Sequence, residues 1–156
     1  NSDYYILRYW KVYFTYQYLI SKMILDNQET EVPRSARHFI NAGTNLENIL
    51  LGSIFEYQSF FGSYFNMNWQ SPFYMDYANI NKMEVPPIYN SGVSFCFASK
   101  EKSQIYTVSF DVYNILDETY STVSNSTGSI KQMQTNGYIG YPPPGRRFYI
   151  SMIGEF

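Results

Sequence analysis

The sequence is poor in the residues on which most chemistry and most soluble cores depend. It holds a single cysteine, Cys96, and a single histidine, His38, in 156 residues. One cysteine excludes an internal disulfide framework, and one Cys with one His cannot build a zinc site unaided. No nucleophile motif of the G-x-S-x-G kind accompanies His38, so Ser-His-Asp catalysis finds no support and no enzymatic role is expected. Charge is scarce at 15% of residues and nearly balanced, with 11 Lys and Arg against 13 Asp and Glu. There is neither a basic stripe for nucleic acid nor a polybasic tail for an anionic surface. No apolar run reaches the roughly 18 residues of a transmembrane helix, but a transmembrane β-barrel needs none. The chain neither opens on Met nor carries a signal-type leader, as expected of a processed chain or a fragment.

What is abundant is aromatic. Phe, Trp and Tyr make up 20% of the chain, with 17 Tyr and 12 Phe. Such residues favour half-buried pleated surfaces, and Tyr in this number suggests rings at a boundary between an apolar phase and water. The pattern agrees, because apolar residues recur at every second position in segment after segment. From Trp10 to Ile24, Trp10, Val12, Phe14, Tyr16, Tyr18 and Ile20 share one face, opposite Lys11, Tyr13, Thr15, Gln17 and Ser21. Similar segments are expected near 36–46, 49–62, 89–97 and 106–113. In the last strand Phe148, Ile150, Met152, Gly154 and Phe156 alternate with Arg147, Tyr149, Ser151, Ile153 and Glu155. The total is six strands of an all-β, antiparallel fold, without internal repeat or domain linker.

The gaps between them alternate in length. The stretches 26–35, 63–87 and 118–144 are long, whereas 47–48 is read as a tight turn and 99–103 as a short one. Short turns at one end and long loops at the other are the pattern of an outer-membrane barrel, and a soluble sandwich has no reason to sort its loops this way. On that reading Glu56, Gln58 and Asp111 lie on the polar, lumenal face. A catalytic pairing of Glu56 with Asp111 is the weaker alternative to ordinary lumenal hydrogen bonding. The loop from Ser63 to Pro87 holds Trp69, Tyr74 and Tyr77 among other aromatics and Met, a set able to stack on a flat iron chelate or porphyrin and here taken as the candidate ligand-binding residues. The other reading of these rings is packing within the loops or in an aromatic girdle. No metal site and no cofactor are expected.

Three stretches carry a resemblance. "VPRSARHFINAG" (Val32 to Gly43), "SFDVYNILDETY" (Ser109 to Tyr120) and "GYPPPGRRFYISMIGEF" (Gly140 to Phe156) are similar, in order and spacing, to the C-terminal end of TonB-dependent outer-membrane receptors. In that family the penultimate strand ends in Asn-Leu-Phe-Asp followed by Tyr, and Asn114, Ile115, Leu116, Asp117 and Tyr120 occupy those places. The last strand is led in by Tyr-Pro-x-Pro-Gly-Arg and ends on Phe, matching Tyr141, Pro142, Pro144, Gly145, Arg146 and Phe156. The proline cluster at 142–144 is expected to be a rigid lead-in to that strand.

The resemblance implies that residues 1–156 are the C-terminal portion of a transmembrane β-barrel of about 22 strands, with the plug domain not present in this sequence. It implies active uptake of a scarce nutrient, most often a ferric siderophore, with haem or cobalamin also possible. The partners would be that ligand, the TonB complex through the absent plug, the barrel assembly machinery, membrane lipid and lipopolysaccharide. Phe148 and the terminal Phe156 would form the assembly signal. The location would be the bacterial outer membrane, with a periplasmic C-terminus and the long loops outside. A small structural or adhesive outer-membrane barrel, for which eight strands would fit the length, is the alternative, and a barrel hydrolase stands further behind.

Overall fold

The computed structural model describes residues 2–80, 82–100, 103–118 and 145–156. Every regular element among them is a strand. The main strands are β1 (Ser2–Leu7), β2 (Trp10–Tyr18), β5 (His38–Ile54), β6 (Tyr57–Gln70), β9 (Ile88–Ser99), β10 (Ile105–Tyr113) and β11 (Arg147–Glu155). Two short hairpins, β3 (Lys22–Leu25) with β4 (Gln28–Glu31) and β7 (Phe73–Tyr74) with β8 (Lys82–Met83), lie in the long connections.

The seven main strands form one antiparallel sheet in the order β1-β2-β5-β6-β9-β10-β11, so each strand pairs with the next along the chain once the small hairpins are set aside. Among the described residues β1 and β11 pair on one side only, and the sheet is open. Its register makes the alternation coherent across strands. Phe14 faces Ala42, Thr44 faces Phe65, Phe65 faces Ser91, Val93 faces Phe110, and Phe110 faces Ile150. Residues paired in this way share a face, so one side of the whole sheet is apolar. The other side takes the partners in between, including Lys11, Asn45, Tyr64, Gly92, Asp111 and Tyr149.

Among the described residues the apolar side has no second layer. Trp10, Phe14, Tyr16, Tyr18, Phe65, Val93, Phe95, Phe110, Phe148, Ile150 and Met152 are all exposed on it. The buried apolar residues among those described are only Ala36, Phe73, Met75 and Val85, with Phe39 and Met83 packed against them. This small core lies where the two long connections, 19–37 and 71–87, meet the end of the sheet. Asn79 joins the connections by mimicking a strand partner, accepting from the Glu31 N–H at 2.6 Å and donating to the Glu31 carbonyl at 3.0 Å. The Arg34 N–H donates to the Tyr74 carbonyl at 2.7 Å.

Several boundaries differ from the sequence-based expectation. There are seven main strands instead of six, because β1 was not expected. Tyr4 to Leu7 is a continuous apolar run without alternation, and periodicity alone cannot assign it. The stretch 10–24 is β2 followed by the separate β3, with Leu19 to Ser21 between them. Glu47 and Asn48 do not form a turn. They bulge out of β5, which runs on to Ile54: Leu46 faces Ser63 and Ile49 faces Phe61, three steps on one strand against two on the other. Asn48 takes φ 55°, tolerable for Asn in a left-handed site and equally a turn signal, which is why the sequence misleads here. The real turn is Phe55–Glu56. The loop expected from Ser63 begins only at Ser71, since Gly62–Ser63 reads as punctuation while β6 continues through it to Gln70.

The sorting of connections holds. Arg8–Tyr9 and Phe55–Glu56 are tight, and Ser99 N–H donates to the Gln104 carbonyl at 2.9 Å to close the β9–β10 turn. The Lys100 N–H reaches the Glu56 carbonyl at 3.0 Å, so two of these turns meet at one end of the sheet. The opposite end carries 19–37, 71–87 and the connection after Tyr113. The proline lead-in at 142–144, with Tyr120 and most of the 118–144 loop, lies outside the described residues.

Phe55 sits in the tight turn at φ 53° and is 96% exposed, so its ring gains nothing from packing while its backbone bears a left-handed cost of about 1–2 kcal/mol. Phe55→Gly is expected to stabilise the protein by about 1 kcal/mol, read as a raised urea midpoint. A lowered midpoint would show that this turn geometry does not limit stability.

Candidate functional site

The polar side of the sheet is where chemistry-bearing groups converge. Its centre is a cavity of about 490 Å³ lined by Asn45, Glu47, Phe60, Tyr64, Ser94, Cys96, Thr107 and Asp111 among others. Gly92 makes the central contact possible. Tyr64, Gly92 and Asp111 are successive register partners on β6, β9 and β10. With no side chain on the middle strand, Tyr64 lies across it and its hydroxyl donates to Asp111 Oδ1 at 2.8 Å. A Cβ on Gly92 would fall 2.5 Å from the Tyr64 ring. Gly43 does the same for Tyr13, whose ring covers the place a Cβ would occupy.

From Asp111 the network runs on to the sheet edge. Tyr113 meets Tyr149 edge to face with centroids 5.5 Å apart, and the Arg147 guanidinium lies 5.8 Å from the Tyr113 ring and 5.9 Å from the Tyr149 ring. Such contacts are favourable because the cation faces the negative side of the ring. In the row nearer the long connections, carboxamides of β6 and β9 bond to each other and to the backbone. Asn90 Nδ2 donates to Asn66 Oδ1 at 2.8 Å, and Asn90 Oδ1 accepts from the Asn114 N–H at 2.9 Å.

Asn114 begins the 114–117 motif, and its role is visible. It is buried, takes φ 55°, accepts from the Asp117 N–H through its carbonyl, and closes a ring of bonds with the Glu118 backbone through its amide. That turn aims Asp117, whose Oδ1 accepts from the Arg146 N–H at 2.7 Å, at the start of β11. The two motifs, 114–117 and 145–146, therefore meet in space as a clamp between the last two strands. Gly145 leaves room at that contact, since a Cβ there would come within 2.7 Å of Asp117 Oδ1 and the carboxylate would have to shift.

The site residues expected from the sequence are distributed unevenly. Asp111 lies on the polar side as expected, and Gln58, paired with Ala98, shares that side near the tight turns. Glu56 does not: it is in the Phe55–Glu56 turn and lines no strand face, so a pairing with Asp111 is not made. Trp69 is a strand residue, the register partner of Ile40, which in turn faces Tyr16, so it belongs to the apolar side near the long connections. It stands apart from Tyr74 and Tyr77, which do lie in the connection. Tyr74 is covered by Lys82, whose Nζ is 5.2 Å from the ring, and Tyr77 is exposed. Phe73 and Met75, also part of that aromatic stretch, are buried in the loop core. The stacking platform expected there is therefore not assembled.

His38 starts β5 on the apolar side, where its Nδ1 is 2.8 Å from the Tyr16 hydroxyl and its ring is 5.1 Å from that of Tyr18. Phe148 stacks on Phe110 at 6.1 Å, and Phe156 meets Tyr106 edge to face at 5.8 Å. Sequence reasoning puts Tyr64 among the aromatics of the 63–87 loop and so misses its place on the polar face, together with the carboxamides that follow it. The alternation of Tyr64, Asn66, Asn68 and Gln70 with Phe65, Met67 and Trp69 was the signal that would have found them. Among the described residues no three His, Cys, Asp or Glu side chains come together as metal ligands.

The described residues define a class: an antiparallel sheet, open and single-layered among those residues, with one apolar and one polar face and its connections sorted by length. Beyond the class, the chain matches no protein-family model, no curated protein and no solved structure.

The Gly92 gap gives a direct test. Gly92→Ala is expected to cost about 1–3 kcal/mol by driving a methyl group into the Asp111 carboxylate and the Tyr64 ring. The same change in a background carrying both Tyr64→Ser and Asp111→Ala is expected to cost much less. Equal costs in the two backgrounds, measured by urea unfolding, would show that these two side chains do not fill the gap.

Proposed function

We propose that the chain forms part of the wall of a TonB-dependent outer-membrane receptor, a transmembrane β-barrel for active uptake of a scarce nutrient. The observation that carries this reading is the uncovered apolar side of the sheet. Soluble monomers rarely expose contiguous apolar patches above a few hundred Å². Here large apolar side chains stand exposed on strand after strand, with no layer of the described residues packed on them. Lipid is the solvent that suits such a face, and a closed barrel is the arrangement that also pairs both open edges. Tyr16, Tyr18, His38 and Trp69 near the long connections, and Tyr106 with Phe156 near the tight turns, then sit where aromatic belts meet the two interfaces. The polar side faces the lumen.

The resemblance in three ordered motifs adds the receptor class, and the clamp between Asn114–Asp117 and Gly145–Arg146 gives two of those motifs a physical role in holding the last strand. In this reading the long connections are extracellular, the wall and loops hold the nutrient, and force from TonB on a plug outside this sequence opens the path. A ferric siderophore is the cargo class the resemblance implies. The scattered positions of Trp69, Tyr74 and Tyr77 remove the aromatic loop as its support.

Two measurements test the reading. After replacement of Cys96, Ala78→Cys in the exposed part of the long connection is expected to react with an impermeant maleimide on intact cells, whereas Ser103→Cys in a tight turn is not. Labelling at 103 alone would reverse the topology. Phe110→Lys, on the apolar side, is expected to destabilise the protein in lipid by about 2–4 kcal/mol, and Asp111→Asn, on the polar side, by much less. Equal tolerance at the two positions would remove lipid as the solvent of the apolar face.

A further inference from the structure

Residues 119–144 separate Glu118 from Gly145 in the sequence, far more than a hairpin turn holds, so turn length does not set the register of β10 with β11 as it does for β1 with β2 or β5 with β6. The alternation does not set it either. The observed pairing puts Phe110 against Ile150, Ser109 against Ser151 and Asp111 against Tyr149. Sliding β11 by two residues keeps every side chain on its own face and re-forms the ladder. Phe110 would then face Phe148, Val108 would face Ile150, and Thr107 would replace Ser109 as the hydroxyl partner of Ser151. Arg147 would stand opposite Asp111, a favourable opposite-charge pair, while Arg146 would come against Val112 on the apolar side. By face and by pairing the two registers are close rivals.

The turn at the end of β10 separates them. Its base is fastened to β9, because the Asn114 N–H donates to Asn90 Oδ1 at 2.9 Å and the Ile115 N–H donates to the Tyr89 carbonyl at 2.9 Å. The Asp117 N–H closes on the Asn114 carbonyl at 2.9 Å, and the Asn114 amide holds the Glu118 backbone. From that fixed base Asp117 Oδ1 accepts from the Arg146 N–H at 2.7 Å, one residue before β11 begins. The donor is main chain, so the bond marks a position along the strand. A slip of two residues moves β11 by about 7 Å and carries that N–H out of reach. We propose that the 114–117 turn is a register latch, which holds β11 in the observed pairing through Asp117 Oδ1 and the Arg146 N–H against a neighbouring register in which Arg147 pairs with Asp111. The latch also places the end of the strand, since the Phe156 ring meets Tyr106 edge to face in the observed pairing and would lie past Ile105 in the other. It needs only the sheet, and so goes beyond the receptor reading without resting on it.

The test is oxidative cross-linking of cysteine pairs with copper phenanthroline in the full-length protein carrying Cys96→Ser. Ser109→Cys joins Ser151→Cys in the observed register, Tyr149→Cys in the rival one, and Ile153→Cys if the strand slips the other way. The protein with an intact latch is expected to give the 109–151 product almost alone. Asp117→Ala is expected to raise the ratio of 109–149 to 109–151 product about tenfold or more, because one charge-assisted bond is lost. Asp117→Asn keeps an acceptor oxygen and is expected to restore the original ratio. Arg146→Pro, which has no N–H, supplies an independent variant with the same expected shift. A ratio unchanged in whichever of Asp117→Ala and Arg146→Pro folds, a shift to the 109–153 product, no rescue by Asp117→Asn, or abundant 109–149 product with the latch intact overturns the inference. Loss of the folded protein in both variants overturns it as well, because the contact would then hold the fold and not the register.

Discussion

Lateral backbone pairing in a single continuous register is the constraint on which everything else depends. Each strand must satisfy its backbone donors and acceptors through its neighbours in the sheet. Once the register is set, a two-residue period within each strand becomes a property of the whole sheet. Phe14, Thr44, Phe65, Val93, Phe110 and Ile150 cannot be moved to the other side without shifting every partner. The same register that lines up the apolar face lines up the polar one.

The two faces obey different rules. On the apolar face, rings meet rings, as in the pairs Phe61–Phe95, Phe65–Tyr89 and Phe110–Phe148, and no polar partner is needed. On the polar face, large side chains need room to find partners, and the glycines supply it. Gly92 lets Tyr64 cross a strand to Asp111, and Gly43 makes way for Tyr13. Without those gaps a flat wall of side chains would stand there, and the cavity would have a different shape. Bulges at Glu47–Asn48 and around Leu51 accommodate the length of β5 beyond the end of β2.

Among the described residues the long connections form the one place with a conventional core, and its smallness is informative. Ala36, Phe73, Met75 and Val85 suffice to hold the connections against one another, assisted by the Arg37–Glu31 ion pair at 2.6 Å and by Ser71 Oγ accepting from the Arg37 and His38 N–H groups. They draw aromatic and Met side chains inward that a sequence reading offers for ligand contact.

By itself the sequence determined the all-β class, the antiparallel alternation and the side taken by nearly every residue of β2, β9, β10 and β11, because a period of two is a local property and these segments keep it without interruption. It also determined that short and long connections alternate, since turn residues punctuate the pattern. The tertiary structure alone decided where β5 and β6 end, because a bulge at Asn48 and a turn at Asn48 look alike until the partner strand shows that pairing continues. It alone separated Trp69 from Tyr74 and Tyr77, put Glu56 in a turn, and brought Asp117 to the Arg146 N–H. Those groupings depend on register between segments far apart in the chain, and register is settled by which residues pair across strands, a relation absent from any single segment.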